Sequence, residues 1–186
     1  EINWNNNLRT QIGLFYSGTE GQPYSYTYRD GADLLNDDSR DNALIYVPAS
    51  QGEITLENPS NWSALNSFIE NNDYLSERRG DYVEKNATRG PWTDIVDLRF
   101  VQDLIVSKNK LQFTFDIFNF TNFINQDWGR RYFVGSFGFA QPLRTVTAGP
   151  DPVFRWQEGS DDPRITDFGF SGSRWRAQIG IRYTFK

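Results

Sequence analysis

The 186-residue chain contains no cysteine, no histidine and no methionine. Without cysteine there is neither a disulfide framework nor a thiolate metal site. Without histidine the commonest general base and the commonest zinc ligand are both missing. Most hydrolase and metalloenzyme chemistries are therefore poor fits, and neither a catalytic residue nor a cofactor nor a metal site is expected. No run of about 18 apolar residues occurs, which excludes a transmembrane helix. The opening Glu1-Ile2-Asn3-Trp4 has no basic start and no apolar run, so it does not read as a signal peptide. A net charge of -5 argues against nucleic acid as a partner. The mean hydropathy of -0.64 is low, but low values also suit a transmembrane β-barrel, whose inner face and loops are polar.

What the chain has in quantity is aromatic residues, 16% of the total. In four segments, apolar and polar residues alternate with period two. In Trp175 to Lys186, Ala177, Ile179, Ile181, Tyr183 and Phe185 alternate with Arg176, Gln178, Gly180, Arg182 and Thr184. Alternate residues face opposite sides of a strand, so this one has a greasy face and an ionic face. Three further segments repeat the pattern: Asn7 to Tyr16, Thr93 to Leu104 and Leu111 to Phe120. Each is about ten residues or slightly longer, the length of a tilted strand crossing a hydrocarbon layer. Arginines and glutamines would fill a sandwich core badly but suit a watery lumen. The expected fold is therefore all-β, an antiparallel transmembrane barrel segment of about four strands. Four strands cannot close a barrel, because unpaired edges would face lipid. The expectation is that residues 1–186 belong to a longer chain.

The connections alternate long, short, long. Roughly Ser17 to Pro91 and Asn122 to Arg174 are long, whereas Ile105 to Lys110 is a short polar turn. Outer-membrane barrels have short periplasmic turns and long extracellular loops. In the first long connection, Asn58-Pro59 predicts a helix start, Trp62, Leu65, Phe68 and Ile69 recur at helical spacing, and Asn71-Asn72 ends the helix. Asp73 is expected to cap a second short turn ending at Gly80. The cluster Asp33 to Asp41 invites a calcium reading, but it lacks EF-hand spacing and a solvated acidic tip is the simpler account. The second long connection is turn-rich at Gly149 to Pro152 and Gly159 to Pro163, and its Asp161-Asp162 is a weak carboxylate pair.

An ordered run of residues carries a resemblance. It comprises Arg79 to Asn86, Arg89-Gly90-Pro91-Trp92, Asp97 to Phe100, Phe115 to Asn125, Asp127-Trp128-Gly129 and Ile181 to Phe185. From about residue 79 to the end, this series resembles the C-terminal end of TonB-dependent outer-membrane receptors. It is most similar to the Oar-like members from Bacteroidota that carry a carboxypeptidase-regulatory-like domain. The resemblance implies a 22-stranded barrel, a plug domain absent from this chain, a TonB contact through a missing N-terminal part, and outer-membrane lipid as surroundings.

Two groups of side chains are candidates for function. Asp97, Arg99, Asp116, Arg176 and Arg182 would face the lumen, where they guide a substrate, grip the plug, or simply form cross-strand pairs that hold the register. Loop aromatics at Trp62, Tyr74, Trp128 and Trp156, with Tyr24, Tyr26 and Tyr28, could stack on sugars or peptides, or pack the loops together. Tyr16, Trp92, Phe100, Phe113, Tyr183 and Phe185 are expected at the membrane interfaces or against lipid. Two other readings remain open: a docking barrel that holds surface lipoproteins or secretion partners, and a secreted all-β carbohydrate-binding module.

Overall fold

All four alternating segments become strands of one antiparallel sheet, and the long connections build a second unit of their own. The computed structural model describes residues 1–29, 31–39, 41–134, 138–157 and 172–185. In chain order the strands are β1 (Ile2–Asn5), β2 (Leu8–Thr19), β3 (Pro23–Arg29), β4 (Tyr46–Val47), β5 (Thr55–Leu56) and β6 (Asp81–Tyr82). They continue with β7 (Thr88–Arg89), β8 (Thr93–Val106), β9 (Asn109–Phe118), β10 (Phe139–Thr147), β11 (Val153–Trp156) and β12 (Arg176–Thr184). The helices are α1 (Trp62–Glu70), α2 (Asp73–Ser76) and α3 (Phe120–Ile124). The chain divides into two compact units, one built from residues 1–20, 91–131 and 172–185, the other from the described parts of 21–90 and 132–157.

The first unit is a sheet in the order β1-β2-β8-β9-β12, antiparallel throughout. It has five strands rather than four, because the short β1 pairs with β2 through Ile2↔Thr10. Among the described residues this sheet stays open and no closed barrel forms. The β8–β9 turn is tighter than expected: Ser107 adopts a left-handed φ of 59° and pairing resumes at Val106↔Asn109. β9 ends at Phe118, because Asn119 is also left-handed and Phe120 starts α3. The register places Leu14, Leu98, Ile117 and Ala177 in one row, and Ile12, Phe100, Phe115 and Ile179 in the next. This apolar face is uncovered: Ile12, Leu14, Ile179 and Phe185 are 66%, 69%, 76% and 77% exposed. Most side chains of the opposite, polar face are exposed or half-buried as well.

The second unit corrects two expectations. The long connections are not mere loops, since β3, β5, β7, β10 and β11 form another five-stranded sheet in the order β5-β11-β10-β3-β7. The fold is also not antiparallel everywhere. β10 runs parallel to β3 and β11 runs parallel to β5. The β3–β10 register breaks between Ala140 and Leu143, where Pro142 has no N–H to give a ladder. One strand from each connection thus lies side by side, so the two connections share one sheet.

Tyrosines line the core of this unit. Tyr28 stacks on Phe154 with centroids 4.5 Å apart, and Tyr26 meets Phe68 of α1 edge-on. Leu75 and Leu143 are 0% exposed, and Leu65, Ile69 and Val47 nearly so. α1 ends at Asn71 as expected. Its entry differs slightly: Asn58 caps a 3-10 turn over Pro59–Asn61 through Ser60 N–H, and the α-helix follows. α2 is capped by Asn72 rather than Asp73. The Asn72 Oδ1 accepts the Leu75 N–H at 3.0 Å, while its amide donates to the Tyr26 hydroxyl at 2.8 Å.

Truncating Leu75 or Leu143 to alanine should leave a cavity in this core and cost about 2–5 kcal/mol. Urea unfolding checks this, and a loss under about 1 kcal/mol would show a core loose enough to collapse. A pH effect follows from the buried phenols. Burial pushes Tyr28 up to about 12 and Tyr26 higher still. Folding therefore favours their neutral forms, and their contribution is intact below the ordinary tyrosine pKa near 10 and fades as pH rises towards 12. Phenolate absorbance should show the exposed tyrosines ionising first and these two only with unfolding. Smooth ionisation of every tyrosine near pH 10 in the folded protein would contradict the packing.

Candidate functional site

Period-two alternation and register together put Asp97, Arg99, Asp116, Arg176 and Arg182 on one face of the long sheet. Arg99 lies directly opposite Asp116, with Nε 3.5 Å from Oδ1. Asp97 Oδ1 accepts the Asn119 N–H at 2.8 Å. The Arg176 guanidinium sits over the Phe118 ring, 5.8 Å from its centroid. Arg182 faces Gln112 in the register and stands apart from the other four. The first three of these charges, with Gly13, Phe15 and Phe118, line a shallow groove of about 270 Å³.

A second polar cluster escaped the sequence reading. Asp103 is on the same face and its side chain is only 4% exposed. Lys110 Nζ lies 2.6 Å from its Oδ2, and the Gln112 amide donates to Oδ1 at 2.8 Å. The signal was present, since Asp103 is four residues from Arg99 and so on its side of the strand. A cross-strand carboxylate ringed by donors reads as a register lock before it reads as a binding group.

The asparagine-rich run that carries the resemblance has a clear structural job. Asn119, in its left-handed conformation, donates from Nδ2 to the Gly129 carbonyl at 2.9 Å and accepts from the Thr121 hydroxyl at 3.1 Å. Buried Asn122 donates to the carbonyls of Gln126 and Trp128 and accepts the Trp175 N–H at 3.2 Å. Asn125 accepts the Asp127 N–H. The three side chains replace backbone partners that a strand or helix would supply, and Asn122 clasps the segment after β9 to Trp175, just before β12. Phe123 packs edge-on against Trp175 at 5.0 Å, and both remain exposed.

The loop aromatics separate by burial. Trp156 is 8% exposed and packs against Phe68, so its ring is core and offers no stacking face to a ligand. Tyr24, Tyr26 and Tyr28 are core as well. Trp62 and Tyr74 are half-buried at the edge of that core. Trp128 is 53% exposed and belongs to the long-sheet unit. Sequence alone could not sort them, because each alternates with polar residues equally well.

In the acidic segment the carboxylates bind backbone and amides. Asp33 Oδ2 accepts the Asp38 N–H at 3.0 Å, and Gln141 donates to Asp41 at 2.8 Å. Hydrogen bonds from the Ser39 N–H and the Asn42 amide hold Asp37 below the usual carboxylate range. Among the described residues no three acidic side chains converge as metal ligands. Gly159 to Pro163, with Asp161-Asp162, lies outside the described residues. No protein-family model, curated protein or solved structure matches this chain.

Gly129 is the position in the clasp that admits no side chain. Its φ is 62°, and an added Cβ would collide with Asn119 Oδ1. Gly129→Ala should therefore cost about 1–3 kcal/mol, whereas Gly52→Ala, with nothing within 4 Å, should stay within about 0.5 kcal/mol. Unfolding followed by tryptophan fluorescence distinguishes them, and equal stabilities would refute the clasp.

Proposed function

We propose that this chain is the C-terminal barrel segment of a TonB-dependent outer-membrane active transporter. The observation that carries the reading is the uncovered apolar face of the long sheet. From the Tyr16 and Val96 row to the Leu8, Leu104, Leu111 and Tyr183 row it runs nine residues, or eight steps, along β2. At about 3.4 Å per residue and a tilt near 40°, that is about 20 Å along a membrane normal, close to the apolar band of a transmembrane barrel.

Polar groups on that face are matched to one another. The Trp4 indole donates to the Thr10 hydroxyl at 2.8 Å, which donates to Gln102 at 2.7 Å. At the other end the Tyr16 hydroxyl and the Trp92 indole both donate to Asp94. Such pairing is what hydrocarbon demands, since an unmatched polar group costs several kcal/mol there. Trp and Tyr at the two ends are the residues that favour membrane interfaces. Among the described residues the outer edge of β12 has no strand partner, and in this reading it pairs with a strand of the same barrel.

On this proposal the turn at Ser107 and the C-terminus are periplasmic and the second unit extracellular. Substrate captured outside would pass when TonB acts on the plug, and Asp97, Arg99 and Asp116 would line the route.

Paired variants of neighbouring residues test the proposal in the full-length protein. Ile179→Arg places a charge on the apolar face and should cost about 2–4 kcal/mol if that face meets lipid. Gln178→Arg places it opposite Asp116, where it should be tolerated. Heat-modifiable migration of membrane-extracted protein should be lost for the first and kept for the second. Equal behaviour of the two, or a wild-type protein that stays in solution without detergent, would sink the reading.

A further inference from the structure

The second unit also presents a surface that neither its core nor the long sheet explains. Ile45 and Val47 are 3% and 1% exposed, so Tyr46 between them points outward. On the paired strand Val83 is buried, and Tyr82 and Glu84 on either side of it are exposed. Tyr46 lies directly opposite Tyr82, and the two rings meet edge-to-face at 5.3 Å. The Tyr46 hydroxyl donates to Glu53 Oε2 at 3.0 Å, and the same oxygen accepts the Ala49 N–H at 2.9 Å. Tyr74 is anchored similarly: its hydroxyl accepts the Glu84 N–H at 2.7 Å, and Arg78 lies over its ring while pairing with Glu84 at 2.7 Å. The hydrogen bond to Glu84 and that group's charge raise the Arg78 pKa.

We propose that Tyr46, Tyr82 and Tyr74 form a binding strip for a neutral polysaccharide. Pyranose rings present C–H faces that stack on an aromatic ring, and their hydroxyls seek carboxylate and guanidinium partners. This strip offers both: the Tyr82 ring is 61% exposed, the half-buried Tyr46 and Tyr74 beside it are held by their hydroxyl hydrogen bonds, and Glu53, Asp81, Glu84 and Arg78 lie close by. Rings already fixed lose little entropy on binding. Three carboxylates against one guanidinium disfavour an anionic polymer. No leucine, isoleucine or phenylalanine joins the strip, so it lacks the apolar anchors and the area of a protein-docking patch. The strip belongs wholly to the second unit and stands whether or not the long sheet lies in a membrane.

Native affinity gels test it with the intact protein in detergent. The gels would contain mixed-linkage β-glucan, soluble starch, galactomannan or, as an anionic control, polygalacturonate. We expect retardation by at least one neutral polymer and none by polygalacturonate. Tyr82→Ala and Tyr74→Ala should each weaken that binding by about tenfold, the loss of one stacked ring. If Tyr82→Ala does not fold, Tyr82→Leu decides, because it keeps apolar bulk and removes the ring. The proposal is overturned by no retardation on any neutral polymer, by variants that bind like wild type, or by preference for polygalacturonate. Binding of a protein through Tyr82 without polysaccharide binding would overturn it equally.

Discussion

Everything in the long sheet follows from the fact that it is one layer thick within its unit. A sheet inside a two-layer domain needs chemistry for one buried face and one wet face. Here neither face is a core, yet the two are chemically opposite, with isoleucine and phenylalanine on one and arginine, glutamine and aspartate on the other. A soluble protein exposing so much contiguous apolar surface would associate with itself. The proposed membrane setting resolves this, because lipid rather than protein then covers the apolar face. It also explains why the polar groups on that face are paired with one another rather than left to solvent.

The second unit obeys the opposite rule. It holds itself together with an interior, built mainly from the tyrosines of β3, the buried faces of α1 and α2, and the aromatics of β11. Its sheet joins segments far apart in sequence, and the parallel contact between β3 and β10 can form only when both connections are in place. Long connections in compact proteins usually need structure of their own, and here they obtain it from each other. That gives the unit an interior of its own, on which the proposed strip of Tyr46, Tyr82 and Tyr74 is mounted. The asparagine clasp solves the related problem in the first unit, where β9 must stop, turn and hand the chain onward without regular backbone pairing. Side-chain amides carry both a donor and an acceptor, so three of them replace the missing ladder.

Period two was enough to find β2, β8, β9 and β12 and to put Asp97, Arg99, Asp116, Arg176 and Arg182 on one face, because alternation is a local property of extended backbone. Helical spacing and the Asn58-Pro59 start were likewise enough for α1. The short strands were beyond reach: two-residue elements such as β4 and β6 carry no periodicity, and parallel pairing of β3 with β10 leaves no mark within either segment. Burial of the loop aromatics had the same cause. Trp156 and Tyr82 look alike in sequence, and only the three-dimensional neighbours, Phe68 for one and open solvent for the other, separate core from surface. What the residues determined by themselves was therefore the chemistry of each face of the long strands β2, β8, β9 and β12. Which faces are covered, and which distant segments share a core, was decided by tertiary contacts, since covering a side chain depends on what packs against it rather than on its neighbours in the chain.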